Sequence, residues 1–233
     1  MNLFCRTLAR LHDFDDDSFL SEIRKLYFRF PYTILSDLDS FDVVPPTSHI
    51  AVFHQFWRSY SFIHLHDCFE INYVFKGECE LTFLDEKRIL KEGDFCIISP
   101  YTNHNVTLLT EDSQIFPVLL KEKTFSEIFF PLLPEDNLLS DFFRRILSDK
   151  SEPNYLLFQT SGSLEIRDLM KRLFWRISVR INMLHKISYT GSTYFFPAFY
   201  EITRHTVNFP VTKPDLTMPQ SCAISKITIQ QSP

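Results

Sequence analysis

Between His49 and Leu120 apolar and polar positions alternate in short runs with the period of two expected of half-buried strands. The runs are His49 to Trp57, Phe69 to Phe75, Cys79 to Leu84, Arg88 to Lys91, Phe95 to Ser99, His104 to Leu109 and Ser113 to Leu120, rich in β-branched and aromatic residues. Lys76-Gly77-Glu78 and Asp85-Glu86 are turn signals between them. This regular spacing predicts an antiparallel sandwich or barrel and leaves no room for the crossover helices of a parallel sheet.

On either side the period changes. Near the N-terminus Asp17 and Ser18 are placed to cap a helix carrying Phe19, Leu20, Ile23, Leu26 and Tyr27 on one face. From Thr124 the pattern is again helical: Thr124-x-x-Glu127 has the form of a capping box, Asn137 to Leu147 predicts a second helix, and Ser163 to about Arg176 a third. Their apolar stripes are read as core or dimer surface. The expected organisation is an arm over residues 1–44, a barrel over 45–122, a helical linker or dimerisation segment over 123–187, and an irregular tail over 188–233.

Composition narrows the class. In 233 residues there are 25 Phe against 4 Gly, which points to a core built from large aromatic side chains. A formal net charge of −5 gives no basic footprint for nucleic acid, although basic residues outnumber acidic ones after Ile177. Cys5, Cys68, Cys79, Cys96 and Cys222 form no C-x-x-C pair and suit a reducing compartment. With no signal-peptide h-region and no apolar stretch of membrane-spanning length, a soluble cytoplasmic protein is expected. No P-loop, Rossmann glycine pattern or G-x-S-x-G occurs.

The candidate chemistry lies between His64 and His104. His64, His66 and Glu70 stand as H-x-H-x-x-x-E, and alternation along a strand puts all three on one face. A later strand that brings His104 beside them completes three imidazoles and one carboxylate, a donor set suited to Zn, Fe, Ni or Mn. The same groups can instead hydrogen-bond a hydroxylated or carboxylated small molecule, with Trp57, Tyr73 and Phe83 as aromatic walls. Cys68 beside Asp67 reads as a structural thiol, and His12, His49, His54, His185 and His205 are isolated.

The phrase from His64 to Gly77, followed by Gly93-Asp-Phe-Cys-Ile-Ile-Ser-Pro100-Tyr-Thr-Asn-His104, resembles the two cupin motifs, most of all those in the sensor domain of AraC-type transcriptional regulators. The resemblance covers residues 45 to 120 and weakens toward 175. It implies a cupin-like antiparallel β-barrel, or double-stranded β-helix, followed by helices that dimerise. The implied role is effector sensing by a non-enzyme without a resident cofactor: a small-molecule effector with carbohydrate among the candidates, a homodimer, and DNA engaged only through helix-turn-helix units, none of which can be read in this chain. Two departures, Arg58 in place of the first-motif glycine and the glycine-free run Pro100 to His104, move the reading away from the metal-dependent cupin enzymes, isomerases or dioxygenases, which remain the alternative. The tail departs from the family pattern. A one-nucleotide shift in the back-translation of Thr193 to Thr206 restores a helix-like sequence, so a frameshift or truncation and an authentic irregular segment both stand open.

Overall fold

The computed structural model describes residues 15–29, 50–55, 63–132, 138–148, 155–160, 162–183 and 211–212. Helix α1 (Asp16–Arg29) is followed by strands β1 (Ile50–Val52), β2 (Cys68–Lys76), β3 (Glu78–Phe83), β4 (Lys87–Lys91), β5 (Phe95–Ile98), β6 (His104–Leu108) and β7 (Gln114–Lys121). Then come α2 (Leu138–Ser148), β8 (Tyr155–Phe158), α3 (Leu164–Met183) and β9 (Val211–Thr212). One sheet has the order β1-β7-β2-β5-β8-β9 and the other β4-β3-β6, with every pairing antiparallel. The expected cupin-like arrangement is present as two sheets that are not closed into a barrel. His64, in the segment leading into β2, pairs with His104 of β6 through a single bridge.

Burial follows the alternation. In β3, Cys79, Leu81 and Phe83 turn inward while Glu78, Glu80 and Thr82 turn outward. β2 is buried on both faces, because the small sheet covers one side and the helices the other. Its Phe69, Ile71, Tyr73 and Phe75 enter an outer core with Phe19 of α1, Phe142 and Phe143 of α2, and Phe174 of α3. Its Val74 enters an inter-sheet core with Leu81, Phe83, Cys96, Val106, Tyr155 and Leu157. The many phenylalanines fill mainly the outer core, where Phe116 stacks on Phe174 at 4.5 Å and Phe125 lies 4.2 Å from Phe143.

Helix α1 is held by charge as well as by its apolar face. Asp16 receives Arg167 Nε at 2.8 Å and Lys171 Nζ at 2.9 Å, both from α3. Arg167 also reaches Glu92 at 3.0 Å and lies 4.3 Å over the Phe75 ring.

Three sequence expectations need correction. The cap of α1 is Asp15, whose carboxylate accepts the Ser18 N–H at 2.8 Å, so Asp17 and Ser18 lie within the first turn. Thr124-x-x-Glu127 is not a capping box: Thr124 is already helical, and Phe125–Phe129 forms a π-helical turn, running on from Glu122–Thr124 without a side-chain cap. Residues 123–187 are not helix alone, since β8 pairs with β5 through Phe95↔Phe158 to Ile98↔Tyr155. The third helix runs to Met183, and Val211–Thr212 of the tail pairs with β8. The rest of the tail, most of the arm, and His12, His49, Trp57, Arg58, His185 and His205 lie outside the described residues.

Candidate functional site

His64 approaches β2 from the preceding segment and exchanges both backbone hydrogen bonds with His104, the first residue of β6, at 2.9 Å each. His66 follows two residues on, and Glu70 comes from β2, on the face turned toward the small sheet. These elements gather four side chains whose candidate ligand atoms all lie within 4.8 Å of one another. His66, Glu70 and His104 are buried, while His64 is half-buried at the end of the inter-sheet space. All four groups singled out in the sequence are therefore together.

Their orientation is fixed by neighbours. His66 Nδ1–H donates to the Cys68 carbonyl at 3.0 Å, and His104 Nδ1–H to the Thr102 carbonyl at 2.8 Å. A carbonyl can only accept, so in both rings the proton of the neutral form sits on Nδ1 and the Nε2 lone pair is turned inward. Both Nε2 atoms meet the same carboxylate oxygen, Glu70 Oε2, at 2.7 Å from His66 and 3.1 Å from His104. Lone pairs facing a carboxylate demand a cation between them, either a proton on the ring or a metal ion. Burial works against charge on His66, but the hydrogen bond and charge of Glu70 outweigh it and raise its pKa. Burial would likewise raise Glu70, yet the charge and hydrogen bonds of His104 and His66 hold its carboxyl well below the usual range.

The second oxygen, Glu70 Oε1, accepts from Asn72 Nδ2 at 2.7 Å. Asn72 and Thr102 are working parts of the cluster that the sequence pattern did not single out. Asn72 was accessible to it, being two residues past Glu70 and hence on the same face. Thr102 acts through its carbonyl, which no side-chain pattern reveals. The turn that presents it contains Tyr101 at φ 61°, a left-handed conformation at the place where the motif lacks its glycine. Tyr101 N–H donates to the His66 carbonyl at 2.8 Å, so this turn braces both rings.

The proposed walls divide. Phe83 pairs across strands with His104 and stacks on Tyr155 at 4.4 Å, on the site's side of the sheets. Tyr73 is corrected: three residues from Glu70, it points the opposite way, into the outer core, and is fully buried there. Trp57 lies outside the described residues. Cys68 is buried, and desolvation followed by the Glu70 and Asp67 charges raises its pKa, which suits an inert thiol. His54, isolated in the sequence, is buried against Phe116 with Gln114 at 3.0 Å, and burial lowers its pKa to about 4.

The donor set fits a divalent ion of the imidazole-preferring kind, since the two carbonyls hold both rings in the ligating tautomer. It equally fits a protonated, hydrogen-bonding cluster for an organic ligand.

Residues 49–118 match the family model described as AraC-like ligand binding domain. No curated protein matches the chain. Among solved structures, an apo ToxT variant from Vibrio cholerae strain SCE256 is 12% identical, with a TM-score of 0.45 over 70% of this chain and 59% of that one. An RmlC-like cupin family protein with a double-stranded β-helix fold, from Methanocaldococcus jannaschii, is 19% identical, with a TM-score of 0.29 over 32% and 72%. KdgF from Halomonas sp. is 24% identical, with a TM-score of 0.28 over 31% and 67%. The chain spans less than two thirds of three ToxT structures it matches, 59%, 56% and 54% of their lengths. Among the described residues no helix is long and apolar enough to cross a membrane.

Proposed function

We propose that residues 49–118, an AraC-like ligand-binding domain, sense a small polar effector at the His64, His66, Glu70, His104 cluster on behalf of transcriptional control. The observation that carries this reading is the buried Glu70 carboxylate clasped by His66, His104 and Asn72 at the end of the inter-sheet space. A charge withdrawn from water is costly, and buried, coupled titratable groups of this kind concentrate at functional sites. The aromatic Phe83–Tyr155 stack beside polar groups suits a carbohydrate or another hydroxylated compound.

The signal has a physical route. β2 carries Glu70 on one face and Phe69, Ile71, Tyr73 and Phe75 on the other, so a shift of this strand is felt by α1, α2 and α3. These helices serve as the dimer-forming surface, and DNA is engaged through helix-turn-helix units rather than by the sensing domain itself. The cytoplasm is the compartment this role requires. The test is a thermal-shift and calorimetric screen of sugars, polyols and small carboxylates against wild type and Glu70→Gln. Binding to wild type with at least tenfold weakening in the variant supports the reading; no binding to wild type overturns it.

A second reading, a metal-dependent cupin enzyme, is favoured by one observation: the paired Nδ1–H donors that turn both Nε2 atoms inward. There His64, His66, Glu70 and His104 would hold the ion, which would supply Lewis-acid or redox chemistry when bound. Elemental analysis after dialysis against Zn, Mn, Fe and Ni tests it. One equivalent in wild type and none in Glu70→Gln supports metal binding; none in either removes this reading.

A further inference from the structure

Asn72 lies one pleat below Glu70 on the same face of β2, about 7 Å deeper into the inter-sheet space. It is fully buried, and its neighbours across the ladders are Cys96 and Pro117. Its Nδ2 donates to Glu70 Oε1 at 2.7 Å, which fixes how the carboxamide stands: flipped over, its oxygen would face a carboxylate. That leaves Asn72 Oδ1 pointing elsewhere in the interior, and it has no hydrogen-bond partner among the described residues. The side chains of these two ladder neighbours, a thiol and a proline ring, carry no oxygen or nitrogen.

A buried acceptor without a donor is destabilising, because it has given up its hydrogen bonds to water for nothing. An apolar residue would avoid that cost, as Val74 does one pleat further down. Glu70 Oε2 already meets two imidazoles and Oε1 already meets Asn72, so the polar atom of this layer left to recognise something is an acceptor.

We infer that Asn72 reads the effector: its Oδ1 accepts a hydrogen bond from a hydroxyl or amino group of a small ligand that enters past His64. The ligand class follows from the chemistry of the floor. A fixed acceptor beside a buried carboxylate selects O–H and N–H donors and rejects groups that only accept, such as carboxylate and sulfate oxygens. Polyols, sugars and amino alcohols qualify, while simple anions do not. This inference rests on the effector-binding reading of the same cluster.

The experiment titrates wild type, Asn72→Leu and Asn72→Ala calorimetrically with erythritol, D-xylose, D-glucose and ethanolamine. Tetra-O-methyl erythritol, succinate and sulfate serve as acceptor-only counterparts, and folding of each variant is checked by circular dichroism. Asn72→Leu is the closest apolar match in size, and Asn72→Ala serves where leucine does not pack. The expected result is that a donor-bearing compound binds wild type, the acceptor-only compounds do not, and binding falls at least tenfold in the folded variant. A donor-bearing compound that binds the Asn72 variants as tightly as wild type overturns the inference and leaves the effector reading standing. So does preferential binding of succinate or sulfate. If no donor-bearing compound binds wild type, the inference falls together with the reading beneath it.

Discussion

Single buried histidines decide how this protein responds to acid. A histidine in the unfolded chain takes its proton near pH 6.5, whereas His54, desolvated against Phe116, waits until about 4. Between those values the unfolded state binds more protons, so stability falls as pH drops, by about 3 kcal/mol at most. His66 has the opposite sign: its raised pKa gives stability that is full below about 6.5 and is lost as pH rises through the folded value. Glu70, held low, contributes stability that is present above about 4.5 and lost as pH falls through its folded value. Urea titrations of His54→Phe at pH 7, 5.5 and 4.5 should show a flatter acid slope than wild type. At pH 7 the same variant should be about 1 kcal/mol less stable, because Gln114 loses its partner. An unchanged slope would remove His54 from this account. At this scale the sequence told a good deal. The spacing flagged His64, His66 and Glu70 as one set, although only Glu70 lies in a strand and His64 is held by its bridge to His104; strand parity, applied to Tyr73, would have sent it to the other face.

At the scale of elements, turns and ties carry the specificity. Gly93 sits at φ 92° between β4 and β5, where an added Cβ would lie 2.6 Å from Gly162 Cα, a backbone atom that cannot swing aside. Gly162 itself is at φ 70°, and a Cβ added there would meet nothing within 4 Å. Gly93→Ala should therefore cost about 3 kcal/mol or more and Gly162→Ala about 1, read as shifts in urea midpoint at constant slope. Equal costs would show that the close approach of the two loops is relaxed in solution. The Asp16–Arg167–Glu92 tie is half-exposed on its acidic side, so Arg167→Met, which keeps the packing on Phe75, should lose only about 1 to 2 kcal/mol. Proteolysis within α1 should rise in that variant before global unfolding does. Seven strands were legible because each alternates or ends at a turn residue. β8 was not: Tyr-Leu-Leu-Phe is apolar throughout and buried on both faces, so it carries no period to tell strand from helix. The π-helical turn at Phe125–Phe129 was hidden for a related reason, since Thr and Glu three apart look the same whether or not they cap anything.

The whole molecule is organised by one sheet with two sides. Because the large sheet lines both the outer and the inter-sheet core, neither can melt alone, and near-UV and far-UV circular dichroism should report coincident unfolding. Phe116→Ala, which empties a fully buried position facing Phe75 and Phe174, should lower stability by about 3 to 5 kcal/mol in both signals together. Separate transitions would show the cores to be independent. Fold class was readable from alternation, but the extent of the sheet was not, because its completing strand comes after an intervening helix. That late strand has a consequence for how the protein is made. At typical synthesis rates of about 5–20 residues per second, the stretch from Ile98 to Tyr155 takes roughly 3 to 12 s to emerge from the ribosome. Throughout that interval the edge of β5, four fully buried apolar or thiol residues in the finished protein, stands open to any passing strand. A nascent chain at this stage is a natural client for chaperones, and slower, cooler synthesis would lengthen its exposure rather than protect it.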